Sequence, residues 1–140
     1  MALIRNEKLQ FVEISNYTNE ILLEGLGHNT VTEQDAKNAL AELYVENSKL
    51  QSQKFFNNNF KGAQATVTVQ SLNLDKLWDD LKDIFCSIAK EDSIFTKIID
   101  FILEAISSIV PLGILIKALV KIIIKFFLQE GVKLICPIKA

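Results

Sequence analysis

The sequence predicts a mainly α-helical protein: a helical bundle or hairpin with a very apolar C-terminal helical pair and at most one short strand. Three observations lead to this prediction. Over most of the chain, apolar residues recur at the i, i+3, i+4 and i+7 spacing of amphipathic helices. Residues 63–70 give the best strand signal, because polar and small or apolar residues alternate strictly there. Lys117, Lys121 and Lys125 stand at four-residue intervals in an otherwise apolar run, so on a helix they form one narrow cationic stripe.

Length and charge indicate one domain with an uneven charge distribution. The chain has 140 residues, enough for a sizeable core, and 49% of them are apolar. Residues 1–92 carry nine Lys and Arg against fourteen Asp and Glu, a net charge of −5, whereas residues 93–140 carry six against three, a net charge of +3. The basic tail can bind an anionic lipid surface or pair with the acidic part of the same chain. We favour the internal pairing because it needs no partner.

The chain divides into three parts that we expect to form one structural domain. These are an acidic, polar helical region at residues 1–62, a strand or extended linker at residues 63–72, and an apolar helical body at residues 73–140. The first residues lack the profile of a secretory signal, so we expect synthesis in the cytoplasm. That expectation leaves membrane association or later release open.

The N-terminal region is predicted to hold two helices. Residues 1–15 fit either a short helix or a strand, and Thr18 can cap a short helix that ends at Gly25. Thr32 and Asp35 resemble a reciprocal N-terminal cap, so a helix should run from there to about residue 56. Its apolar side comprises Ala36, Ala39, Leu40, Leu43 and Tyr44. We expect this helix to form an outward-facing portion, with the polar residues after position 45 exposed or packed against other copies.

The C-terminal body is predicted to hold helices at about residues 74–90, 94–110 and 114–130. Asn73 can cap the first, Gly131 can end the third, and residues 132–140 should be irregular. A break at residues 111–113 makes the last two helices a hairpin. Each keeps one thin polar strip, Asp100 and Glu104 on the first and the three lysines on the second. In the hairpin these strips should face each other and form ion pairs.

The sequence lacks the patterns that most catalytic and cofactor chemistry requires. His28, the single histidine, follows Gly27 and is best explained as a turn residue. No metal-ligand spacing, phosphate-binding loop or nucleophile motif occurs, so we expect no enzyme activity, cofactor, metal or small-molecule substrate. The tail lysines lie among Ile and Phe rather than on an exposed basic face, which argues against nucleic acid. Cys86 and Cys136 should be buried free thiols, with a disulfide between them as the alternative.

One segment resembles a known family of assembling proteins. The polar helix that follows Leu43 and Tyr44, rich in Asn and Gln, is similar in composition to the R-body structural proteins of bacteria, which assemble into coiled ribbons. The lysine-striped tail departs from that family's pattern, and no residue roles carry over from it.

Two hypotheses for the function follow from the apolar tail. In the first, the protein is a non-enzymatic, self-assembling structural or scaffold subunit whose C-terminal helices are buried between copies. In the alternative, it is a membrane-active or pore-forming protein that inserts the hairpin of residues 94–130. Residues 105–116, the longest stretch of the tail without charge, are too few to span a bilayer. We favour assembly, because lipid would penalise the charged strips. The predicted assembly or membrane contacts are Lys117, Lys121, Lys125, Asp100, Glu104, Ile116, Ile123, Phe126 and Phe127.

Overall fold

The computed structural model describes residues 3–59, 72–89 and 94–136, so the predicted strand at residues 63–70 lies outside the described residues. The described elements are, in chain order, β1 (Leu3–Arg5), β2 (Phe11–Glu13), α1 (Ile14–Glu24), α2 (Glu33–Asn59), α3 (Leu74–Ile88), α4 (Phe95–Ile109), α5 (Lys117–Glu130) and α6 (Val132–Ile135). The fold is mainly α-helical, as the sequence predicts.

Residues 3–13 form a two-stranded antiparallel hairpin, where the sequence left helix and strand open. Its register pairs Leu3 with Glu13, Ile4 with Val12 and Arg5 with Phe11. Asn6 organises the turn: its side-chain oxygen accepts hydrogen bonds from the backbone N–H groups of Lys8 at 2.9 Å and Gln10 at 3.0 Å. The sequence allowed one short strand at most, and the structure has two because this turn folds the second strand back onto the first.

The chain passes from β2 directly into α1, which begins at Ile14 rather than after Thr18. The prediction that Thr18 caps this helix was therefore wrong. Thr18 lies inside α1, and its hydroxyl donates a hydrogen bond of 2.5 Å to Asp100 Oδ1 of α4. The predicted end at Gly25 is confirmed, and its φ of +85° is a conformation that glycine adopts without steric cost.

The reciprocal cap predicted for α2 is present. The Asp35 N–H donates to Thr32 Oγ1 at 3.1 Å, and the Thr32 N–H donates to Asp35 Oδ2 at 3.0 Å. The apolar side predicted for α2 is confirmed, because it packs against α5, while the opposite side of the helix, including Asn38 and Glu42, is exposed. A helix that is apolar around most of its circumference, as α5 is, requires such a cover. The buried α2 residues on this side are Ala36, Ala39, Leu40 and Leu43.

Helices α3, α4 and α5 match their predicted bounds to within three residues at each end. The predicted caps are also confirmed: Asn73 Oδ1 accepts from the Lys76 N–H at 3.2 Å, and the Gly131 N–H donates to the Phe127 carbonyl at 2.9 Å. Residues 132–135 form the short helix α6 instead of irregular chain. This helix is followed by Cys136, which is bonded to α3.

Cys86 and Cys136 form a disulfide, with their Cα atoms 5.5 Å apart, so the prediction of free thiols was wrong. The sequence spacing was uninformative because the fold brings the last turn of α3 beside the end of α6. The bond spans a sequence separation of 50 residues. Both helices of the apolar hairpin, α4 and α5, lie within this covalent loop.

Between α4 and α5, residues 113–115 form backbone hydrogen bonds with the N-terminal hairpin. The Arg5 N–H donates to the Gly113 carbonyl at 3.3 Å, and the Leu115 N–H donates to the Arg5 carbonyl at 2.9 Å. The Tyr17 hydroxyl of α1 donates to the Leu115 carbonyl at 2.6 Å. Burial, reinforced by nearby carboxylates, raises the pKa of Tyr17, so this hydroxyl keeps its proton.

Asn47 of α2 holds the same segment from another side. Its Oδ1 accepts from the Ile114 N–H and its Nδ2 donates to the Ile114 carbonyl, both at 2.9 Å. Asn47 is fully buried and Ser48 nearly so, within their own chain. The expectation that the polar residues after position 45 are exposed or packed against other copies was therefore wrong for these two. Sequence hydropathy could not reveal a polar side chain that is buried for its hydrogen bonds.

Replacing Asn47 with alanine is expected to lower the free energy of unfolding by about 3 kcal/mol, because two buried peptide groups of Ile114 would lose their partners. Urea denaturation followed by circular dichroism measures this change. Asn38→Ala, at an exposed position of the same helix, is the matched control and should change stability by less than about 0.5 kcal/mol. Equal effects of the two substitutions would contradict the assigned role of Asn47.

Opening the disulfide is expected to lower the free energy of unfolding by about 4 kcal/mol, the chain-entropy value for a loop of this length. The measurement compares denaturation of the oxidised protein with that of a Cys86→Ser, Cys136→Ser double variant. A dithiol reductant should destabilise the parent protein and leave the double variant unchanged. A parent protein indifferent to the reductant would show that the bond does not constrain the chain.

Candidate association surface

The lysine stripe of α5 faces α1. Lys117 Nζ lies 2.7 Å from Glu24 Oε2 and 3.4 Å from Glu20 Oε2, and Lys121 Nζ lies 2.7 Å from Glu24 Oε1. The predicted internal pairing of the basic tail with the acidic N-terminal part is therefore confirmed. Both pairs of residues are four apart on their helices, so the carboxylates and ammonium groups match in spacing.

These contacts perturb the protonation of the groups concerned. Hydrogen bonds from Lys117 and Lys121 lower the pKa of Glu24 from 4.5 to about 2. The hydrogen bond with Glu24 raises the pKa of Lys117 in turn. Glu7 adds a third carboxylate, since its Oε1 accepts from the Lys117 backbone N–H at 2.7 Å. A carboxylate at this place satisfies an unpaired N–H of the first turn and complements the helix dipole.

The same side of α5 continues along the loop after α1. Lys125 is half-buried, and its Nζ lies 3.8 Å from the position that a β-carbon on Gly27 would occupy. One turn further, the Gln129 side chain accepts from the Val31 N–H at 2.9 Å and donates to the Val31 carbonyl at 2.8 Å. The lysine stripe therefore lies against α1 and the loop that follows it, within the same chain.

Asp100 and Glu104 do not meet the lysines, so the predicted pairing of the two strips was wrong. Asp100 accepts from Thr18 and lies 3.9 Å from Lys97 of its own helix. Together with Glu104 it lines a cavity of about 250 Å³ beside the start of α1. The acidic strip and the lysines do not pair because α1 contacts both of them: Thr18 bonds to Asp100 of α4, and Glu20 and Glu24 pair with the lysines of α5.

The predicted apolar contact residues lie in the protein's own interior. Ile123 is fully buried, Phe126 and Phe127 are nearly so, and Ile116 is half-buried against the core. The ring of Phe127 meets Trp78 and Phe85 of α3 edge-on, at centroid distances of 5.7 Å and 5.0 Å. These aromatic contacts join α5 to α3.

The N-terminal hairpin carries three of the large apolar side chains that the fold leaves exposed. Leu3 and Leu9 are each 57% exposed and Phe11 is 62% exposed. The Arg5 guanidinium lies over the Phe11 ring, 4.8 Å from its centroid. We call the outer surface formed by Leu3, Arg5, Leu9, Phe11 and Glu13 the hairpin face. The sequence pointed to Leu9 and Phe11 only as members of an ambiguous segment.

Leu9, in the turn of the hairpin, has a strained backbone. Its φ is +65°, a conformation that leucine seldom adopts, and its N–H donates to the Asn6 carbonyl at 3.0 Å. The turn holds this conformation while leaving the leucine side chain exposed. Backbone strain of this kind concentrates at functional sites, which supports the hairpin face as a candidate site.

Among the residues that the structure describes, one edge of the hairpin has backbone partners and the other has none. Because β1 bonds to residues 113–115 through Arg5, β2 forms the outer strand. Within the described residues, the backbone N–H and C=O groups of Phe11 have no backbone partner. An open groove of about 360 Å³ adjoins the hairpin, between Phe11 and the turn at Pro111. The unpaired backbone groups of a strand edge can form hydrogen bonds with a strand of another chain.

Sequence reasoning missed Glu7, Glu20 and Glu24 as partners of α5. A signal for two of them was present, because Glu20 and Glu24 have the same four-residue spacing as the lysines they contact. No sequence signal pointed to Glu7, because the contact depends on how the hairpin turn packs against the start of α5.

Comparison with protein-family models, with curated proteins and with solved structures gives no match to this chain. In the part of the chain that the structure describes, no helix combines the length and apolarity needed to cross a bilayer. Nor do the described residues group three or more histidine, cysteine or carboxylate side chains as metal ligands.

Removing the Glu24 carboxylate is expected to make the protein less sensitive to acid. Because the pKa of Glu24 is lowered in the folded state, its ionised form stabilises the fold fully above pH 4.5, and this contribution disappears as pH falls toward 2. Glu24→Gln should therefore flatten the dependence of unfolding free energy on pH between these values, as measured by denaturation at a series of pH values. Glu42→Gln, an exposed position on α2, is the control and should keep the parent's slope.

Proposed function

We propose that this is a non-enzymatic protein that works by association with copies of itself, using the hairpin face as its contact surface. The observation that carries the proposal is the exposure of Phe11 on a strand whose outer edge has no backbone partner among the described residues. The same general function was expected from the sequence, through a different surface.

The C-terminal helices are poor candidates for that contact in the folded protein. Ile123, Phe126 and Phe127 are covered by the chain's own helices, so contacting another copy through them would first require opening the core. The hairpin face needs no such opening. Burying one phenylalanine side chain contributes about 1.5–3 kcal/mol, so a few such residues can support measurable association.

Other apolar side chains are exposed, but they lack this combination. Within the described residues, the remaining large exposed ones are Leu23, Ile94, Phe95 and Leu134, and none belongs to a strand. The hairpin face joins apolar area with unpaired backbone groups, and each of these can contribute to binding. We therefore place the contact on the hairpin.

The disulfide supports a site of action outside a reducing compartment. Disulfides form and persist in oxidising surroundings and are rare where thiols are kept reduced. The bond between Cys86 and Cys136 is therefore consistent with a protein that is released from the cytoplasm and assembles afterwards.

Replacing Phe11 with glutamate is expected to weaken self-association roughly ten- to hundredfold, because a buried apolar contact is lost and a charge is introduced. Light scattering over a concentration series, without detergent, measures the effect. The matched control is Leu23→Glu, at a position on α1 that is 88% exposed, which should leave association unchanged.

Two outcomes would overturn the proposal. The first is a parent protein that stays monomeric at every concentration tested. The second is a parent protein that stays monomeric in buffer, binds anionic vesicles and releases a trapped dye, which would favour the membrane-active alternative, with α4 and α5 leaving the core.

A further inference from the structure

We propose that the disulfide between Cys86 and Cys136 is a redox-sensitive switch for α6: its reduction releases α6 from α3, while α4 and α5 stay folded. This inference goes beyond the proposed function and does not depend on it, because it concerns α6 and not the hairpin face. It follows from the length of α6, from its few buried side chains and from the place of the bond in the fold.

Helix α6 is too short to be stable by itself. It has four residues, whereas isolated helices shorter than about 12–15 residues are marginal in water. Gly131, with a φ of +86°, separates it from α5, so it does not continue that helix. The Ile135 N–H donates to the Gly131 carbonyl at 3.2 Å, and the Cys136 N–H bonds within α6 at 2.7 Å. These two bonds last only while the rest of the protein holds α6 in place.

The noncovalent contacts of α6 with the core are few. Ile135 is its one buried side chain, at 9% exposure, and Val132 is half-buried. Lys133 is exposed, and Leu134 is 74% exposed. Burying a single isoleucine offsets only part of the conformational entropy that ordering this segment costs. The disulfide supplies the rest, because it keeps Cys136 beside α3 and limits the freedom of the residues before it.

The hairpin of α4 and α5 is held by contacts that do not involve α6. Helix α5 packs along α2, and the Phe127 ring contacts Trp78 of α3. The connection between α4 and α5 bonds to β1, α1 and α2. Reduction lowers the stability of the whole fold, but these contacts remain when the bond opens. The segment that unfolds on reduction is therefore α6.

The reaction that opens the bond is thiol–disulfide exchange with a dithiol. A thiolate of the dithiol attacks one cysteine sulfur, the Sγ–Sγ bond breaks, and the other cysteine leaves as a thiolate that takes up a proton. The second thiol of the dithiol then displaces the first cysteine in the same way. Both cysteines end as thiols, and the dithiol is oxidised by two electrons to a disulfide.

The position of the bond allows this reaction in the folded protein. Cys86 and Cys136 are both half-buried rather than enclosed, so a small dithiol can reach the sulfur atoms. Surroundings that keep thiols reduced hold the protein with α6 released, and oxidising surroundings hold it with α6 bound to α3.

Amide hydrogen exchange with and without a dithiol tests the proposal. The reporters are the Ile135 and Cys136 N–H groups of α6 and the Val120 N–H, which bonds to the Ile116 carbonyl at 3.0 Å in α5. Reduction is expected to speed exchange at the α6 amides at least roughly tenfold, because the bond no longer limits their opening. Val120 should still exchange at least roughly a hundredfold more slowly than an unstructured chain. Reoxidation should restore the protection of α6.

Two variants serve as controls. The Cys86→Ser, Cys136→Ser double variant should exchange fast at the α6 amides with and without the dithiol, while its Val120 stays protected. Ser87→Ala, at the exposed position next to Cys86, is the matched substitution and should keep the parent's response to the dithiol.

Three results would overturn the proposal. The first is protection of the α6 amides that survives reduction, since the helix would then be held without the bond. The second is loss of protection at Val120 together with α6, since the bond would then hold the whole fold rather than one helix. The third is alkylation of both cysteines in the unfolded, unreduced protein, since no bond would then exist. None of these results bears on self-association, which Phe11→Glu tests separately.

Discussion

The buried peptide groups at residues 113–115 must find hydrogen-bond partners, and the rest of the structure depends on this constraint. An apolar hairpin needs a turn between its helices, and here part of that connection lies in the interior, where each unpaired peptide group would cost about 1–3 kcal/mol. Arg5, Tyr17 and Asn47 supply the partners from β1, α1 and α2. One short segment therefore positions three separate elements against the α4–α5 hairpin.

This arrangement determines which surfaces remain free. Since β1 bonds to residues 113–115, the hairpin edge that lacks a backbone partner among the described residues is that of β2. Since α1 follows β2 directly, Glu20 and Glu24 reach Lys117 and Lys121. The lysine stripe therefore forms ion pairs within its own chain. The residues that looked most suited to binding a partner are thus used within the chain. Among the exposed apolar side chains, Leu3, Leu9 and Phe11 lie together on the small hairpin at the N-terminus.

Much of the fold could be predicted because its determinants are local. The i, i+3, i+4 pattern located α3, α4 and α5, and cap residues such as Thr32 and Gly131 marked helix ends, since each signal acts within a few residues. The candidate site was predicted less well. Asp100 was expected to pair with the lysines of α5, but it accepts a hydrogen bond from Thr18 of α1. Phe127 was expected to contact another copy or lipid, and it packs against Trp78 of α3. Both contacts involve elements that are far away in sequence.

The sequence by itself determined the helical class, the charge asymmetry that pairs the basic tail with the acidic part, and the requirement that an apolar α5 be covered. Only the tertiary structure decided what covers α5, which acids meet its lysines, whether Cys86 and Cys136 pair, and which edge of the hairpin bonds to residues 113–115. The physical reason is range: periodicity and capping act between neighbours along the chain, whereas burial, long-range hydrogen bonds and cross-links depend on how distant segments pack.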